Sequence, residues 1–560
     1  MENDLFAAYD SNPNFTGRED ILDRLRAASG SERPTALVGA DGNGKTLIAA
    51  EYARARMTEY DFVCWVRAGD PITLISDYAE LNKTLGLPDT ENLVEAAEAV
   101  LIWLEQYDRW LLIFDDASDP GTLADYLPRG GSGQVVITSS KPGWDEVAAT
   151  LVVGTLDRAG SVRLLLRRSG REDVKAAEAL AEALGDLPLA LEMAGAYIAW
   201  TGVSLSRYLE MYKKRLQEID PRGIPAPVAA AFEISFEQVW AVSSKAVEYL
   251  NMCALLAPQD LPIDLLIGAS VLLPQDMETA TEVLSRRGLV GSGKNQLSVH
   301  PLVQALALRH LDEESKKSWI EATLVAMGGA FSTYMENIFT WPECARLLPH
   351  VLTALEHEEE EEEEEAGSEA ASKTASTLLN QVGLYLHRRS YFAGAKEVLE
   401  RLLTLDEMTY GQDHPEVATD LNNLGSLLRV MGDLDGAKAM LERALAIEEA
   451  AEETDSLKIA IRANNLGTVL RVMGDLEGAK AMFQRALALD EAAYGPNHLK
   501  TAIRINNMGE VLQDLGDLEG ARGNYEQALL TFQRLLGEGH HYTQRAQDNL
   551  DSLYEEEGSS

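Results

Sequence analysis

The sequence has few cysteines, few basic residues and no long apolar run. Its three cysteines are an odd number, and none lies in the CxxC spacing that is typical of zinc sites. They are Cys64, Cys253 and Cys344. We therefore expect buried thiols in a reducing compartment, and neither a disulfide framework nor a zinc site. Because no run of about 18 apolar residues and no basic-then-apolar leader is present, we predict a cytoplasmic protein without a membrane partner.

The shortage of basic residues limits the classes of partner. Lysine and arginine number 49 against 90 aspartates and glutamates, which leaves a formal net charge of −41. A surface of this sign repels phosphate backbones and anionic lipid headgroups, so we expect neither nucleic acid nor a membrane surface as the main partner. At 560 residues the chain is long enough for several domains, each with its own core.

The stretch GADGNGKT, residues 39–46, fits the pattern GxxxxGK[S/T]. An apolar strand, TALVG, precedes it and a helical stretch, LIAAEYARAR, follows it. A glycine loop between a strand and a helix N-terminus directs backbone N–H groups and the positive end of the helix dipole at one point, where a phosphate chain fits. Lys45 is then expected at the β- and γ-phosphates and Thr46 at Mg²⁺. The predicted contacts are Gly39, Gly42, Asn43, Gly44, Lys45, Thr46 and Leu47; the alternative is a glycine-rich turn that binds nothing.

Four apolar runs in the front third are separated by helical patterns, as in a parallel α/β domain. They cover residues 35–39, 61–68, 110–116 and 133–140. Because they are continuously apolar, they predict strands of a sheet that is covered on both faces. The third run ends in Asp115 and Asp116. We expect Asp115 to orient Mg²⁺ through water and Asp116 to position the attacking water.

The middle of the chain turns helical, and a short wing follows in GLVGSGKNQLSV. Eight consecutive glutamates then occupy residues 358–365. Like charges at this density repel one another, so we predict a solvated linker there. The alternative is an acidic segment that binds a basic partner.

The rear of the chain repeats with a period of 42 residues, seen in glycines that end an N-x-x-G motif and in alanines twelve positions later. The glycines are Gly383, Gly425, Gly467 and Gly509, and the alanines are Ala395, Ala437, Ala479 and Ala521. Small residues at a fixed period let paired helices approach closely, which indicates an all-α solenoid. Residues 376–555 resemble the tetratricopeptide repeat in its longer, kinesin-light-chain-like form.

Residues 15–311 resemble the NB-ARC class of STAND ATPases, which are signalling switches. FTGRED is similar to the family's opening segment, and the resemblance places Arg18 near the nucleotide. GDLPLAL is similar to the helical-domain motif, which implies that Pro188 packs on the adenosine. SVHPLVQ aligns with the winged-helix motif, which implies that His300 touches the β-phosphate of ADP and holds the resting state closed. Without the family resemblance, Pro188 could simply be a residue that breaks a helix, and His300 could simply be one that begins a helix.

These patterns predict a multidomain chain. The predicted segments are a P-loop nucleotide-binding α/β domain 1–155, a helical domain 156–222, a winged-helix domain 223–311, a helical linker region 312–356, the acidic linker 357–373 and a tetratricopeptide repeat domain 374–556.

The sequence departs from the family at the fourth strand. The family commonly has an arginine there that senses the γ-phosphate, and here Ser140 takes its place with Lys141 beside it. Serine brings no charge to the phosphate, and lysine lacks the guanidinium fork. We expect slow ATP hydrolysis at most.

Polar residues recur on the first helix of each repeat, and they carry two interpretations. Asparagine is a poor helix former, so its return in every repeat needs a reason beyond propensity. Asn422, Asn464 and Asn506, with Arg429 and Arg471, are predicted to line a groove for an extended peptide. The alternative is hydrogen bonding between repeats that sets their register.

Two functions remain open. The first is an ADP/ATP- and Mg²⁺-dependent switch that is autoinhibited with ADP, senses a protein or peptide ligand through its repeats and self-associates on activation. The second is a repeat scaffold with a structural, non-hydrolysing ADP site. Only about fourteen residues precede FTGRED. Either the effector is a separate protein, or the chain is truncated, or assembly itself is the output.

Overall fold

The computed structural model describes residues 12–29, 33–220, 223–261, 274–292, 297–335, 337–364, 369–451 and 455–559. The chain forms two compact units. The first comprises Met1–Gln381 with Arg388–Tyr391, and the second Val382–His387 with Phe392–Ser560.

The first unit begins with a five-stranded parallel sheet in the order β2-β3-β4-β1-β5. Its strands are β1 Thr35–Val38, β2 Phe62–Arg67, β3 Trp110–Asp115, β4 Gln134–Ser139 and β5 Ala149–Val152. Every residue of β3 and β4 is buried, as expected for strands between two helical layers. The predicted α/β fold is confirmed. The edge strand β5 has only one buried residue. The sequence analysis did not predict it, although its residues, ATLV, are as apolar as TALV of β1.

Five helices accompany the sheet: α1 Glu19–Ala27, α2 Lys45–Ala55, α3 Pro71–Thr84, α4 Leu93–Gln106 and α5 Pro120–Ala124. Helix α2 packs Ile48, Ala49 and Tyr52 into the main core cluster. Strand β1 pairs with β4 on one side and with β5 on the other. The loop after β1 therefore lies beside the carboxyl ends of its neighbours, where ligands bind in open parallel sheets.

Helices continue through the rest of the first unit. They are α6 Arg158–Ser169, α7 Val174–Ala183, α8 Pro188–Thr201, α9 Leu205–Leu216, α10 Ala226–Val242, α11 Ser244–Ala254, α12 Pro274–Ser285, α13 Pro301–Leu308, α14 Glu313–Met335 and α15 Trp341–Glu364. Between α12 and α13 an antiparallel pair, β6 Gly291–Ser292 and β7 Leu297–Ser298, forms the predicted wing. Residues 293–296 of that wing lie outside the described residues.

The prediction of a solvated linker is wrong for residues 357–364, which continue helix α15. Earlier turns of this helix bury Leu348, Val351 and Leu355. Once such an apolar face is packed, extending the helix by further residues costs little free energy, and glutamate is a good helix former. Glu358 is buried and accepts a hydrogen bond from the Ser372 hydroxyl at 3.2 Å. Residues 365–368 lie outside the described residues.

The second unit consists of paired helices, as the 42-residue period predicts. Helix α16 Glu369–Arg388 leads into it, followed by α17 Phe392–Tyr410, α18 Pro415–Met431, α19 Leu434–Ala450, α20 Ser456–Met473, α21 Leu476–Tyr494, α22 Leu499–Asp514, α23 Leu518–Leu536 and α24 His541–Ser559. The repeating glycines touch the partner helix. A Cβ at Gly425 would lie 2.8 Å from Leu441, and one at Gly509 would lie 2.6 Å from Tyr525.

The three cysteines are buried free thiols, as predicted. Burial raises the pKa of Cys64 to about 12. Within the described part of the chain, no helix combines the length and apolarity that a membrane crossing requires.

Candidate nucleotide-binding site

The loop of residues 39–44 joins β1 to α2 and depends on its glycines. Gly42 and Gly44 have φ of +83° and +82°, a left-handed conformation that side chains rarely adopt. A Cβ at Gly39 would clash with the Val153 carbonyl. Gly44 begins helix α2 without a side-chain cap. The first backbone N–H groups of this helix, up to that of Leu47, therefore remain available to an anion.

Lys45 is buried and folds back onto its own loop. Its Nζ lies 3.3 Å from the Ala40 carbonyl oxygen and 3.2 Å from Asp41 Oδ1. The ammonium group thus lies inside the curve of the loop, where the sequence predicts the phosphates.

Thr46 and Asp115 meet at the carboxyl end of the sheet. The Thr46 hydroxyl donates to Asp115 Oδ1 at 2.8 Å, and the Thr138 hydroxyl donates to the same oxygen at 2.6 Å. A hydroxyl beside a carboxylate is a donor set that suits Mg²⁺, which prefers oxygen ligands. The glycine loop, the uncapped helix and this oxygen pair fit a nucleoside phosphate with its metal ion.

Asp116 adopts φ of +56°, an uncommon conformation for a residue with a side chain. Its backbone N–H donates to the Thr138 hydroxyl at 2.9 Å. Desolvation raises the pKa of Asp116, and the neighbouring Asp115 and Asp41 carboxylates raise it further. Strained backbone and a perturbed carboxyl beside a phosphate loop are common at functional sites.

Arg18 is buried and donates to three backbone carbonyls. They belong to Asn43 at 3.0 Å, Gly154 at 2.7 Å and Thr155 at 3.2 Å. Burial lowers the pKa of this guanidinium. The Asn43 amide donates to the Val153 carbonyl at 3.0 Å, while its Oδ1 has no hydrogen-bond partner among the described residues. Arg18 therefore braces the glycine loop of residues 39–44 through the Asn43 carbonyl.

The motifs around Pro188 and His300 converge on the phosphate loop. Helix α8 begins at Pro188, and the next backbone N–H, that of Leu189, donates to the Gly42 carbonyl at 3.4 Å. A Cβ at Gly42 would lie 3.5 Å from both Leu189 and Leu302. His300 caps helix α13, because its Nδ1 accepts from the Leu302 N–H at 3.1 Å.

His300 is neutral at physiological pH. Desolvation lowers its pKa to about 4, while the charges of Asp41 and Lys45 act on it in opposite directions. Because Nδ1 accepts a hydrogen bond, the proton of the neutral ring lies on Nε2, which can therefore act as a donor. The structure thus brings the predicted Arg18, Lys45, Thr46, Asp115 and His300 into one region.

Sequence reasoning missed Gln259 and Thr138. Gln259 Nε2 donates to Asp115 Oδ2 at 2.7 Å across a separation of 144 residues. A lone glutamine in a loop carries no motif, so nothing in the sequence marks this contact. Lys141 follows Ser140 and is exposed; its charge acts on Asp116 and lowers the pKa of that carboxyl.

In the repeats, the asparagines bond to one another across neighbouring helices. At three places an asparagine amide donates to the first asparagine of the preceding repeat; two of the donors are the second residues of their N-x-x-G motifs, and the third lies at the corresponding position of the last helix. The pairs are Asn465–Asn422 at 2.9 Å, Asn507–Asn464 at 2.8 Å and Asn549–Asn506 at 3.3 Å. Asn464 and Asn506 are also buried. These contacts support the alternative, hydrogen bonding that sets the register between repeats; a ligand groove at these three residues stays a prediction.

The two arginines of the predicted groove differ. Arg471 pairs with Glu510 and Asp514 of the next repeat. One 42-residue repeat earlier, next to Arg429, the places of these two acids are taken by the uncharged residues Thr468 and Val472. The positive charge of Arg471 is thus neutralised by acids of the solenoid itself. Of the predicted groove residues, Arg429 is therefore the better candidate for contact with a ligand.

Comparisons with known proteins agree with the motifs at both ends. Tetratricopeptide repeat family models match residues 373–450, 459–506 and 501–542. A nucleotide-binding leucine-rich repeat (NLR)-like protein of Hyaloscypha variabilis is 25% identical over 472 residues, which is 73% of this chain and 45% of that protein. The chain therefore spans less than half the length of this relative.

Two solved structures are also similar. One is a STAND protein with a tetratricopeptide repeat sensor from Pyrococcus horikoshii, at 13% identity and a TM-score of 0.44, covering 99% of this chain and 88% of that one. The other is BtubC of P. vanneervenii, at 19% identity and a TM-score of 0.34, covering 42% of this chain and 88% of that one. The family models therefore place tetratricopeptide repeats at the rear of the chain, and over 73% of its length the chain is similar to a nucleotide-binding NLR-like protein.

Proposed function

We propose that the chain is a nucleotide-dependent switch that ADP holds closed and that ATP with Mg²⁺ opens. The observation that carries this proposal is the convergence of two distant segments on the phosphate loop. Leu189 of the GDLPLAL motif and Leu302 of the SVHPLVQ motif both approach Gly42. A site that served only to bind a nucleotide would not need contacts from helices that begin about 150 and 260 residues further along the chain.

In this proposal, the loop N–H groups and Lys45 hold the phosphates, while Thr46 and Asp115 hold the metal ion. Bound Mg²⁺ would neutralise phosphate charge and fix the nucleotide in one orientation. Neutral His300 would donate from Nε2 to the phosphates, and Asp116 would position the attacking water. With Ser140 at the sensor position, hydrolysis is slow and resets the state.

The repeats supply the input. Tetratricopeptide repeats are protein-interaction modules, so the proposed ligand is a protein or peptide, with Arg429 as a groove contact. To take such a switch from mostly off to mostly on, the ligand must favour the open state by roughly 5 kcal/mol. The output is self-association or capture of a separate effector protein in the cytoplasm.

A second candidate is a repeat scaffold with a permanently bound, structural ADP. Ser140 favours it, because that side chain brings no charge to a γ-phosphate. The hydrogen-bonded pair of Thr46 and Asp115 at 2.8 Å opposes it, since a purely structural ADP site has little need for metal ligands.

The nucleotide that copurifies with the full chain and its rate of exchange distinguish the two candidates. The switch requires exchange of ADP for ATP, and it requires Lys45→Ala and Asp115→Ala to abolish assembly driven by ATP. Lys83→Ala, an exposed lysine on α3, is the matched control. If both site variants assemble as the unmodified protein does, the switch proposal is wrong.

A further inference from the structure

Gln259 contacts the predicted metal ligand from a distant part of the chain. It lies in the turn of residues 258–261 that follows helix α11, and its Nε2 donates to Asp115 Oδ2 at 2.7 Å. The other oxygen of Asp115 already accepts from the Thr46 and Thr138 hydroxyls. A carboxylate has about four acceptor positions. At least three are therefore taken. A water molecule bound to Mg²⁺ that donates to Oδ2 would compete with the Gln259 amide for that oxygen.

The turn that carries Gln259 is joined to the strand that leads to His300. The Leu261 N–H donates to the Leu297 carbonyl at 3.0 Å, and the Val299 N–H donates to the Pro258 carbonyl at 2.9 Å. Gln259 and His300 thus project from one backbone platform. One side chain reaches the metal side of the site, and the other lies near Lys45 on the phosphate side.

Helix α15 holds the same turn from the opposite side. Arg346 Nε lies 3.4 Å from Asp260 Oδ2, and His350 Nε2 lies 3.1 Å from the Asp260 carbonyl oxygen. His350 is fully buried, and desolvation lowers its pKa to about 3, so the neutral ring donates to that carbonyl. The turn is therefore clamped between the sheet end and the helix that carries the polyglutamate segment.

We propose that Gln259 couples Mg²⁺ binding at Asp115 to the platform that carries His300. The inference rests on the proposed nucleotide site. When Mg²⁺ enters with ATP, it displaces Gln259 from Asp115, the turn of residues 258–261 loses its anchor, and His300 loosens with it. When the metal leaves, the Gln259 amide restores the contact and satisfies Asp115. Gln259 is a positioning residue and takes no part in phosphate chemistry.

The test uses the full chain with Gln259→Ala and, as a matched control, Gln217→Ala at an exposed helix end. Mg²⁺ is titrated in the presence of a non-hydrolysable ATP analogue. Because a hydrogen bond to a charged group is lost, Gln259→Ala is expected to bind Mg²⁺ about tenfold more tightly. The control is expected to match the unmodified protein.

Hydrogen–deuterium exchange supplies a readout that does not depend on hydrolysis. In the unmodified protein, Mg²⁺ with the analogue is expected to speed exchange at the Leu261 and Val299 amides. In Gln259→Ala, exchange there is expected to be fast with or without the metal. A second variant, Gln259→Glu, places a carboxylate beside Asp115, and its thermal stability is expected to rise on addition of Mg²⁺.

The outcomes separate the two proposals. If the unmodified protein binds nucleotide, but Gln259→Ala shows unchanged Mg²⁺ affinity and unchanged exchange at both amides, the role of Gln259 is wrong while the switch stands. If no form binds adenosine nucleotides in magnesium buffer, the proposed function fails and this inference fails with it.

Discussion

Asp406 and Asp420 lie against each other inside the repeat unit, at a position where the next two repeats hold an acid–arginine pair. Both side chains are buried. The equivalent pairs, each 42 residues further along, are Glu448–Arg462 and Asp490–Arg504, both at 2.9 Å. With no arginine here, burial and then the charge of Asp406 raise the pKa of Asp420 to about 9. One proton is therefore shared by the two carboxyls at neutral pH.

This pair predicts that the repeat unit loses stability as the pH rises. The folded state keeps a proton that an unfolded aspartate releases near pH 4. Its contribution is complete below that pH and is lost progressively toward pH 9, by at most about 1.4 kcal/mol per pH unit. Asp420→Asn removes the second ionisation, so we expect it to be more stable than the unmodified protein at pH 8 and equal to it near pH 4.

Urea denaturation of the full chain at several pH values measures this difference. Asp413→Asn, an exposed aspartate in the adjacent turn, is the control and should keep the pH dependence of the unmodified protein. Parallel curves for Asp420→Asn and the unmodified protein would show that the pair carries no shared proton.

Replacement of glycine by alanine is expected to have opposite effects at two helical positions, the repeating Gly509 and the non-repeating Gly523. Alanine is favoured over glycine in a helix by about 1 kcal/mol. At Gly509, however, the new Cβ would lie 2.6 Å from the Tyr525 ring, whereas at Gly523 nothing lies within 4 Å. Because overpacking costs about 1–3 kcal/mol, Gly509→Ala should lower the urea midpoint and Gly523→Ala should raise it. Equal shifts of one sign would contradict the close helix approach.

Local pattern was enough to predict the glycine loop between β1 and α2 and most of the sheet. Gly39, Gly42 and Gly44 are each required by backbone conformation or by close approach, so a short stretch of sequence is enough to identify the loop. Continuous apolar runs gave four of the five strands for the same reason. The 42-residue period likewise predicted helix pairs, because a repeated small residue has a steric meaning that does not depend on tertiary context.

Contacts between residues far apart in the sequence could not be predicted from such local patterns. Gln259 meets Asp115 only because the fold closes, and its neighbours in the sequence carry no sign of it. Charge alone predicts a solvated segment at Glu358, although the packed turns before it extend the helix. The asparagines were recognised as periodic, but only the stacking of helices shows that the second asparagine of one motif reaches the first of the preceding one.

The last prediction separates two roles of His300, helix capping and contact with the nucleotide. His300→Ala removes both, whereas His300→Asn keeps the cap, because asparagine is among the best N-cap residues. We expect the alanine variant to lose about 1 kcal/mol of stability and the asparagine variant to lose little. Both should release ADP faster, by roughly ten- to a hundredfold, if a hydrogen bond to the phosphate is lost. Dissociation of a fluorescent ADP analogue from the full chain measures the rate.

His414 provides the matched control, because its Nδ1 accepts from the Glu416 N–H at 3.2 Å and it too stands before a proline that begins a helix. His414→Asn makes the same change of side chain in the repeat unit, so ADP release should stay at the rate of the unmodified protein. If His300→Asn also releases ADP at that rate, the imidazole serves only as a cap. The closed state must then be held by contacts that His300 does not make, such as those of Leu189 and Leu302 with the phosphate loop.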